Sequence, residues 1–226
     1  MENNNSQLIS YSTLRRWIGI LGILLPFAVA IGGKIFARWP LQPSISAYYY
    51  TNMRDFFVGL LCLVGAFLVT YDAFDWIDHA LTDLSGAFAI GVASFPMDGK
   101  DDPVGLFQLS PAASGRVHYT CATLLFVSLA IISLFLFTRS DQPRPGPQKR
   151  KRNAVYRGCG IVMVLALLAV PVFKLSEALR RAYPGYLLYV EGVCLVAFGF
   201  SWLVKGDTLF QDVGEPETTA VSLTSP

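Results

Sequence analysis

The sequence predicts an all-α fold, a six-helix transmembrane bundle, from three observations. Of its 226 residues, 53% are apolar or aromatic and 15% are charged, against roughly 25% charged in a soluble domain, so there is too little charge to coat a water-soluble globule. The apolar residues stand in solid blocks that end abruptly at polar clusters, the pattern of bilayer spans rather than of amphipathic stripes. One connection gathers Arg139, Arg144, Lys149, Arg150, Lys151, Arg152 and Arg157, the local excess of Lys and Arg that fixes orientation in a membrane.

The first apolar block covers residues 17–33, preceded by Arg15 and Arg16. Ala28, Val29 and Ala30 imitate a signal-peptide cleavage site after a short apolar core, but apolar character continues through Ile31, Ile35 and Phe36, so the block reads as a span. The second block covers 56–71, the third 80–95, the fourth 117–138, the fifth 158–173 and the sixth 186–204. Each approaches the ~20 residues needed to cross a ~30 Å hydrocarbon core. The third is the shortest and most polar, with Asp83 and Ser85, and its Gly86, Ala87 and Gly91 predict close backbone approach inside the bundle. The transmembrane domain thus runs over 17–205, between an N-terminal segment, 1–16, and a polar tail, 206–226, that lacks apolar periodicity and is expected to be disordered.

The basic connection at 139–157 places both chain ends in the cytoplasm of a cell membrane. The outer connections are then 34–55, 96–116 and 174–185, and the other inner connection is the acidic stretch 72–79. Trp17, Trp39, Tyr71, Trp76, Tyr156, Tyr186 and Trp202 fall at block edges, where interfacial anchors belong. No internal repeat at helix-pair spacing is visible, which argues against an inverted-repeat transporter.

The formal net charge of +2 is too small to suggest a nucleic-acid partner, and none is expected. Cys62, Cys121, Cys159 and Cys194 all lie within apolar blocks without metal-ligand spacing, and they read as packing residues.

Ionisable groups inside spans cost about 2.5 to 3.5 kcal/mol on insertion scales, so each is a functional candidate. Glu191 lies five residues past Tyr186, roughly 8 Å below the outer end of the sixth helix. A carboxylate at that depth either serves a site or locks two elements together by hydrogen bonds. His118 stands at the outer mouth of the fourth helix beside Arg116 and Tyr119, and the segment Ser44-Ile-Ser-Ala-Tyr-Tyr-Tyr50 leads into Arg54 and Asp55 at the outer mouth of the second. Tyr48, Arg54, Asp55, Arg116, His118 and Glu191 are therefore the expected lining of an outward-facing polar pocket. The competing reading pairs Arg54 with Asp55 or a lipid phosphate and makes the three tyrosines an interface belt. On the inner side Asp72, Asp75, Asp78, His79 and Asp83 form an oxygen-rich cluster, but its spacing matches no calcium loop, and it reads as an acidic turn. No metal or cofactor is predicted.

The segment Ser44-Ile-Ser-Ala-Tyr-Tyr-Tyr-Thr-Asn-Met-Arg-Asp55, the run Lys149 to Asn153 followed by Tyr156, and Trp202-Leu-Val-Lys-Gly206 resemble a bacterial family of uncharacterised multi-pass membrane proteins. The resemblance implies six helices and a bacterial cytoplasmic membrane, and carries no activity. Similarity to zinc-dependent alkaline ceramidases fails by counting: those proteins need three histidines, and this chain has two, His79 and His118.

Three functions follow as expectations. The leading one is an integral membrane protein that binds a lipid headgroup, a small molecule or a partner helix in the outer pocket, with Arg54 and Arg116 contacting an anionic group. The first alternative is a lipid hydrolase or transferase with Ser44 or Ser46 as nucleophile, His118 as base and Asp55 or Glu191 orienting it, although no nucleophile-elbow motif is present. The second is a small proton-coupled carrier using Glu191 and Asp83.

Overall fold

In the computed structural model, residues 11–71, 75–99, 105–139 and 146–206 are described. The expectations for the two chain ends, the tail's disorder among them, lie outside these residues, as does Asp72. The described residues are all-helical, with no strand. Helix α1 spans Tyr11–Ala37, α2 Arg54–Val69, α3 Trp76–Ser94, α4 Pro111–Ile131, α5 Pro147–Leu175, α6 Glu177–Ala182 and α7 Tyr186–Lys205. A 3-10 turn, Ser46–Tyr50, precedes α2, and α4 continues as a π-helical turn, Ile132–Leu136. Each of the six apolar blocks maps onto one long helix.

Helices α1, α2, α3, α4 and α5 pack in chain order, and α7 closes a ring by lying against both α5 and α1. Neighbours run antiparallel. Gly206 after the end of α7 accepts hydrogen bonds from Ser12 and Arg16 at the start of α1, both at 2.8 Å. Arg15 donates to Tyr71, just past the end of α2, at 3.1 Å.

Two glycine crossings let backbones touch. A Cβ on Gly199 of α7 would lie 2.5 Å from the Gly19 carbonyl of α1, and one on Gly86 of α3 would lie 2.5 Å from the Gly65 carbonyl of α2. Of the small residues expected to permit close approach in the third block, Gly86 meets α2 and Gly91 meets Cys121 of α4. Ala87 faces outward instead.

Among the described residues four helices, not six, combine the length and apolar composition of a span: α1, α4 with its π turn, α5 and α7. Helix α2 has 16 residues, about 24 Å at 1.5 Å per residue, and α3 is diluted by Asp78, His79, Thr82, Asp83 and Ser85. The two pack against each other, and polar groups of α3 find protein partners: Ser85 Oγ donates to Leu81 O and bonds Ser128 Oγ of α4, at 2.6 and 2.7 Å.

Three further expectations change. The basic run Lys149–Arg152 is not a loop but the opening of α5, which starts at Pro147, where proline's missing N–H costs the helix nothing. The connection after Lys174 holds a short helix, α6, capped by the Ser176 hydroxyl. Only part of the aromatic set faces outward: Trp17, Trp39 and Trp76 are exposed, whereas Tyr71, Tyr156, Tyr186 and Trp202 are buried in the protein. Trp202 packs edge-on to Tyr71 and Phe137, each with ring centroids 5.0 Å apart. The π turn aims Phe137 into this cluster, with Ser133 Oγ donating to Tyr156 O at 2.9 Å.

Beside that aromatic layer, Arg139 joins the two ends of the α3–α4 pair. Its guanidinium donates to Asp75 at 2.7 Å and to Asp78 at 2.8 Å. Asp75 is also the N-cap of α3, accepting the Asp78 N–H at 2.9 Å. These two members of the acidic cluster are thus held by an arginine, while Asp83 is exposed on α3.

Candidate functional site

At the other end of the ring, the chain between α1 and α2 folds inward as the Ser44–Tyr50 segment. Its first N–H groups have no partner within their own turn and need acceptors from elsewhere. Glu191 Oε2 accepts the N–H of Ile45 at 2.6 Å and that of Ser46 at 3.3 Å. Ser44 Oγ accepts the N–H of Ala47 at 3.0 Å. A second tie runs from the Leu188 N–H of α7 to Pro43 O at 3.0 Å. Glu191 therefore acts as a cap delivered from a helix nearly 150 residues away in the chain. It also borders a cavity of about 30 Å³ shared with Ser46, Leu25, Phe57, Val92 and Leu125, enough for a single water.

The three tyrosines do not form a belt. Tyr48 and Tyr49 are buried. The Tyr48 ring lies against Gly33 of α1, where a Cβ would come within 3.1 Å of it, and its hydroxyl accepts the Gln42 N–H at 3.4 Å. Tyr50 donates to Met97 O, and burial pushes its phenol above the ordinary range.

His118 is 1% exposed. Its Nδ1 lies 2.7 Å from Phe95 O at the C-cap of α3; a carbonyl only accepts, so Nδ1 carries the proton. Ser114, one turn earlier, donates to Pro96 O at 2.7 Å. Both side chains of α4 thus satisfy carbonyls left free where α3 ends. No hydrogen bond joins His118 to Ser44, Ser46, Asp55 or Glu191. Arg116, two positions earlier on the same helix, faces outward, as i, i+2 geometry requires.

Arg54 and Asp55 open α2 and line a cavity of about 400 Å³. Arg54 donates to Tyr49 Oη at 2.7 Å, and its guanidinium carbon stands 4.5 Å from the Tyr49 ring centre, a hydrogen bond and a cation–π contact that fix the charge in place. Consecutive helix positions do not face one another, and Asp55 forms no ion pair with Arg54; its carboxylate has no hydrogen-bond partner among the described residues. Below them, Val58 and Cys62 continue the same line of α2 at i+4 and i+8, so the wall turns apolar over about 12 Å. Ala93 and Ser94 at the end of α3, with Gly105 and Leu106, form the opposite side. Gly105 takes φ +86°, a conformation that favours glycine.

Of the expected pocket residues, the structure brings Arg54 and Asp55 into one cavity, sets Glu191 beside another, and turns His118 to the end of α3, Tyr48 to α1 and Arg116 outward. Sequence reasoning missed Tyr49, Val58, Cys62 and Leu106. The Arg54–Val58–Cys62 spacing was a readable signal for one wall; the tyrosine and the opposite wall come from distant elements and left none. Comparison with known proteins gives no match to any family, curated protein or solved structure.

Proposed function

We propose that this chain is a cell-membrane protein that crosses the bilayer six times with both ends in the cytoplasm, and that it binds the headgroup end of a membrane lipid in the cavity below Arg54 and Asp55. The carrying observation is the cavity's polarity gradient: a cation fixed by Tyr49 at one end, Val58, Cys62 and Ala93 along the wall. An amphiphile meets both halves, since the guanidinium makes charge-assisted hydrogen bonds to an anionic group while the tail stays in an apolar channel. The position of Arg54 at the first residue of α2 adds the positive end of the helix dipole.

Four apolar helices support membrane insertion. The closed ring in which α2 and α3 pack between α1 and α4 supports counting them as spans too, with Asp78, Thr82 and Ser85 of α3 turned to protein partners. Basic residues collect at one end, where Arg15, Arg16, Arg139, Lys149 and Lys205 meet, which supports a cytoplasmic assignment for that end.

The test is thermal unfolding of the purified full chain in detergent, titrated with a short-chain phospholipid and with an uncharged alkyl glycoside of equal tail length. The phospholipid should raise Tm in proportion to saturation, the glycoside should not, and Arg54→Met should abolish the response. An equal response in Arg54→Met, or an equal shift by the glycoside, overturns the proposal.

A further inference from the structure

The cavity under Arg54 holds two opposite charges that do not neutralise each other. Arg54 is engaged by Tyr49, through its hydroxyl at 2.7 Å and its ring at 4.5 Å, while Asp55 lines the same cavity without a hydrogen-bond or ion-pair partner among the described residues. Adjacent helix residues diverge by about a quarter turn, so the two charges address different sides of one opening. A purely anionic headgroup would meet the guanidinium favourably and the carboxylate unfavourably. A purely cationic one would face the reverse. A headgroup with a phosphate and, a few bonds away, an ammonium meets both.

We propose that the ligand of this cavity is a zwitterionic phospholipid bearing a primary ammonium, its phosphate on Arg54 and its ammonium on Asp55. The inference rests on the lipid-binding reading above and narrows it to a headgroup class. A primary ammonium fits better than a quaternary one because Asp55 can accept its N–H groups, whereas a quaternary ammonium donates none and is recognised by aromatic cages. Among the described residues that line the cavity the one aromatic ring, Tyr49, already carries the arginine.

The experiment is native mass spectrometry of the full chain from detergent, with phosphatidylethanolamine, phosphatidylcholine and phosphatidylglycerol of identical acyl chains offered in equal amounts. Phosphatidylethanolamine should be retained at least tenfold over phosphatidylglycerol. Asp55→Asn should erase that preference or invert it. Arg54→Met should lose all three. If the parent binds phosphatidylglycerol as well as phosphatidylethanolamine and Asp55→Asn changes nothing, the headgroup assignment is overturned while lipid binding stands. A parent that prefers phosphatidylcholine also overturns it. If no lipid is retained, or if Arg54→Met retains all three like the parent, the lipid-binding reading itself fails. Thermal unfolding of each variant without lipid checks folding, and Arg54→Lys, which keeps the charge, should keep the preference at reduced retention.

Discussion

The Glu191 carboxylate of α7 accepts the backbone N–H of Ile45 at 2.6 Å, so an acid set within a membrane helix serves as the missing cap of a turn between α1 and α2. This relationship explains how a carboxyl group is accommodated in an apolar helix: it replaces water for two N–H groups that the 3-10 turn cannot satisfy. The same contact positions the turn's Tyr49, which in turn holds Arg54. Glu191 thus acts on the cavity through the loop rather than by lining it.

Replacing that acid should therefore lower stability and loosen the arginine. Glu191→Ala leaves two donors without an acceptor, and a loss of about 1–3 kcal/mol is expected. Glu191→Gln keeps an acceptor oxygen and should lose less. Thermal unfolding in detergent measures both. Parent-like stability in Glu191→Ala would mean that the cap contributes nothing.

The Asp75 end of α3 supplies a pH-dependent term. The Asp75 carboxyl is held below its ordinary value of 3.8, first by the Asp78 N–H that it caps and also by Arg139. A depressed folded-state value stabilises the fold at any pH above the ordinary value and is lost as pH falls through the lower one. Below about pH 4, then, the parent should lose stability that Asp75→Asn, which can still cap α3, never had. The two Tm-against-pH curves should converge as pH falls; curves that stay parallel from pH 7 to pH 3 would contradict the account.

Arg139 bridges Asp75 and Asp78, and Asp78 is only 3% exposed. Removing the cation by Arg139→Met strands a nearly buried carboxylate. Because the arginine itself is 43% exposed, water screens part of the effect, and a loss of about 1–2 kcal/mol is expected. Asp78→Asn in the same chain should restore part of it. A double variant as unstable as the sum of the singles would show that the two residues are not coupled.

How much of this could be read from the chain follows from what sequence periodicity encodes. Each apolar block became a helix because a helix satisfies its backbone N–H and C=O groups within the segment, without needing water. Position along the helix was also legible: Glu191 was placed five residues past Tyr186, and Tyr186 opens α7. Direction was not. Trp202 and Trp17 both stand at block edges, yet one is fully buried and the other half exposed, and nothing local distinguishes a ring that faces protein from one that faces lipid. The site was legible as an inventory and not as a constellation. Glu191 was read as serving a site or locking two elements together, and His118 as pocket lining or a base; the partners of both are backbone groups, Phe95 O for His118 and the N–H of Ile45 for Glu191, and a backbone group has no letter in the sequence.

Sidedness can be measured directly. On a chain with its four cysteines replaced by serine or alanine, Lys151→Cys in the opening of α5 and Arg181→Cys in α6 should label from opposite faces of sealed vesicles, the first from the cytoplasmic side. Gln42→Cys, before the 3-10 turn, should label with Arg181→Cys. Labelling of Lys151→Cys and Arg181→Cys from one face would break the alternation through α5 on which the topology depends.

The glycine crossings give the sharpest contrast, because the same substitution should have opposite outcomes on one helix. At Gly199 a Cβ would lie 2.5 Å from Gly19 O and 2.9 Å from Ile23 N, so α1 and α7 must separate; at Gly192 nothing lies within 4 Å. Gly199→Ala should cost about 1–3 kcal/mol as overpacking, whereas Gly192→Ala should be neutral or gain up to about 1 kcal/mol from helix propensity. Unfolding by sodium dodecyl sulfate in mixed micelles, followed by circular dichroism, reads both. The effect at Gly199 comes from backbone meeting backbone, which no rotamer change can relieve, so Gly199→Ala should also speed the detachment of α1, seen as earlier protease cleavage within residues 11–37. Equal stabilities for the two variants would show that α1 is not seated on α7 as described.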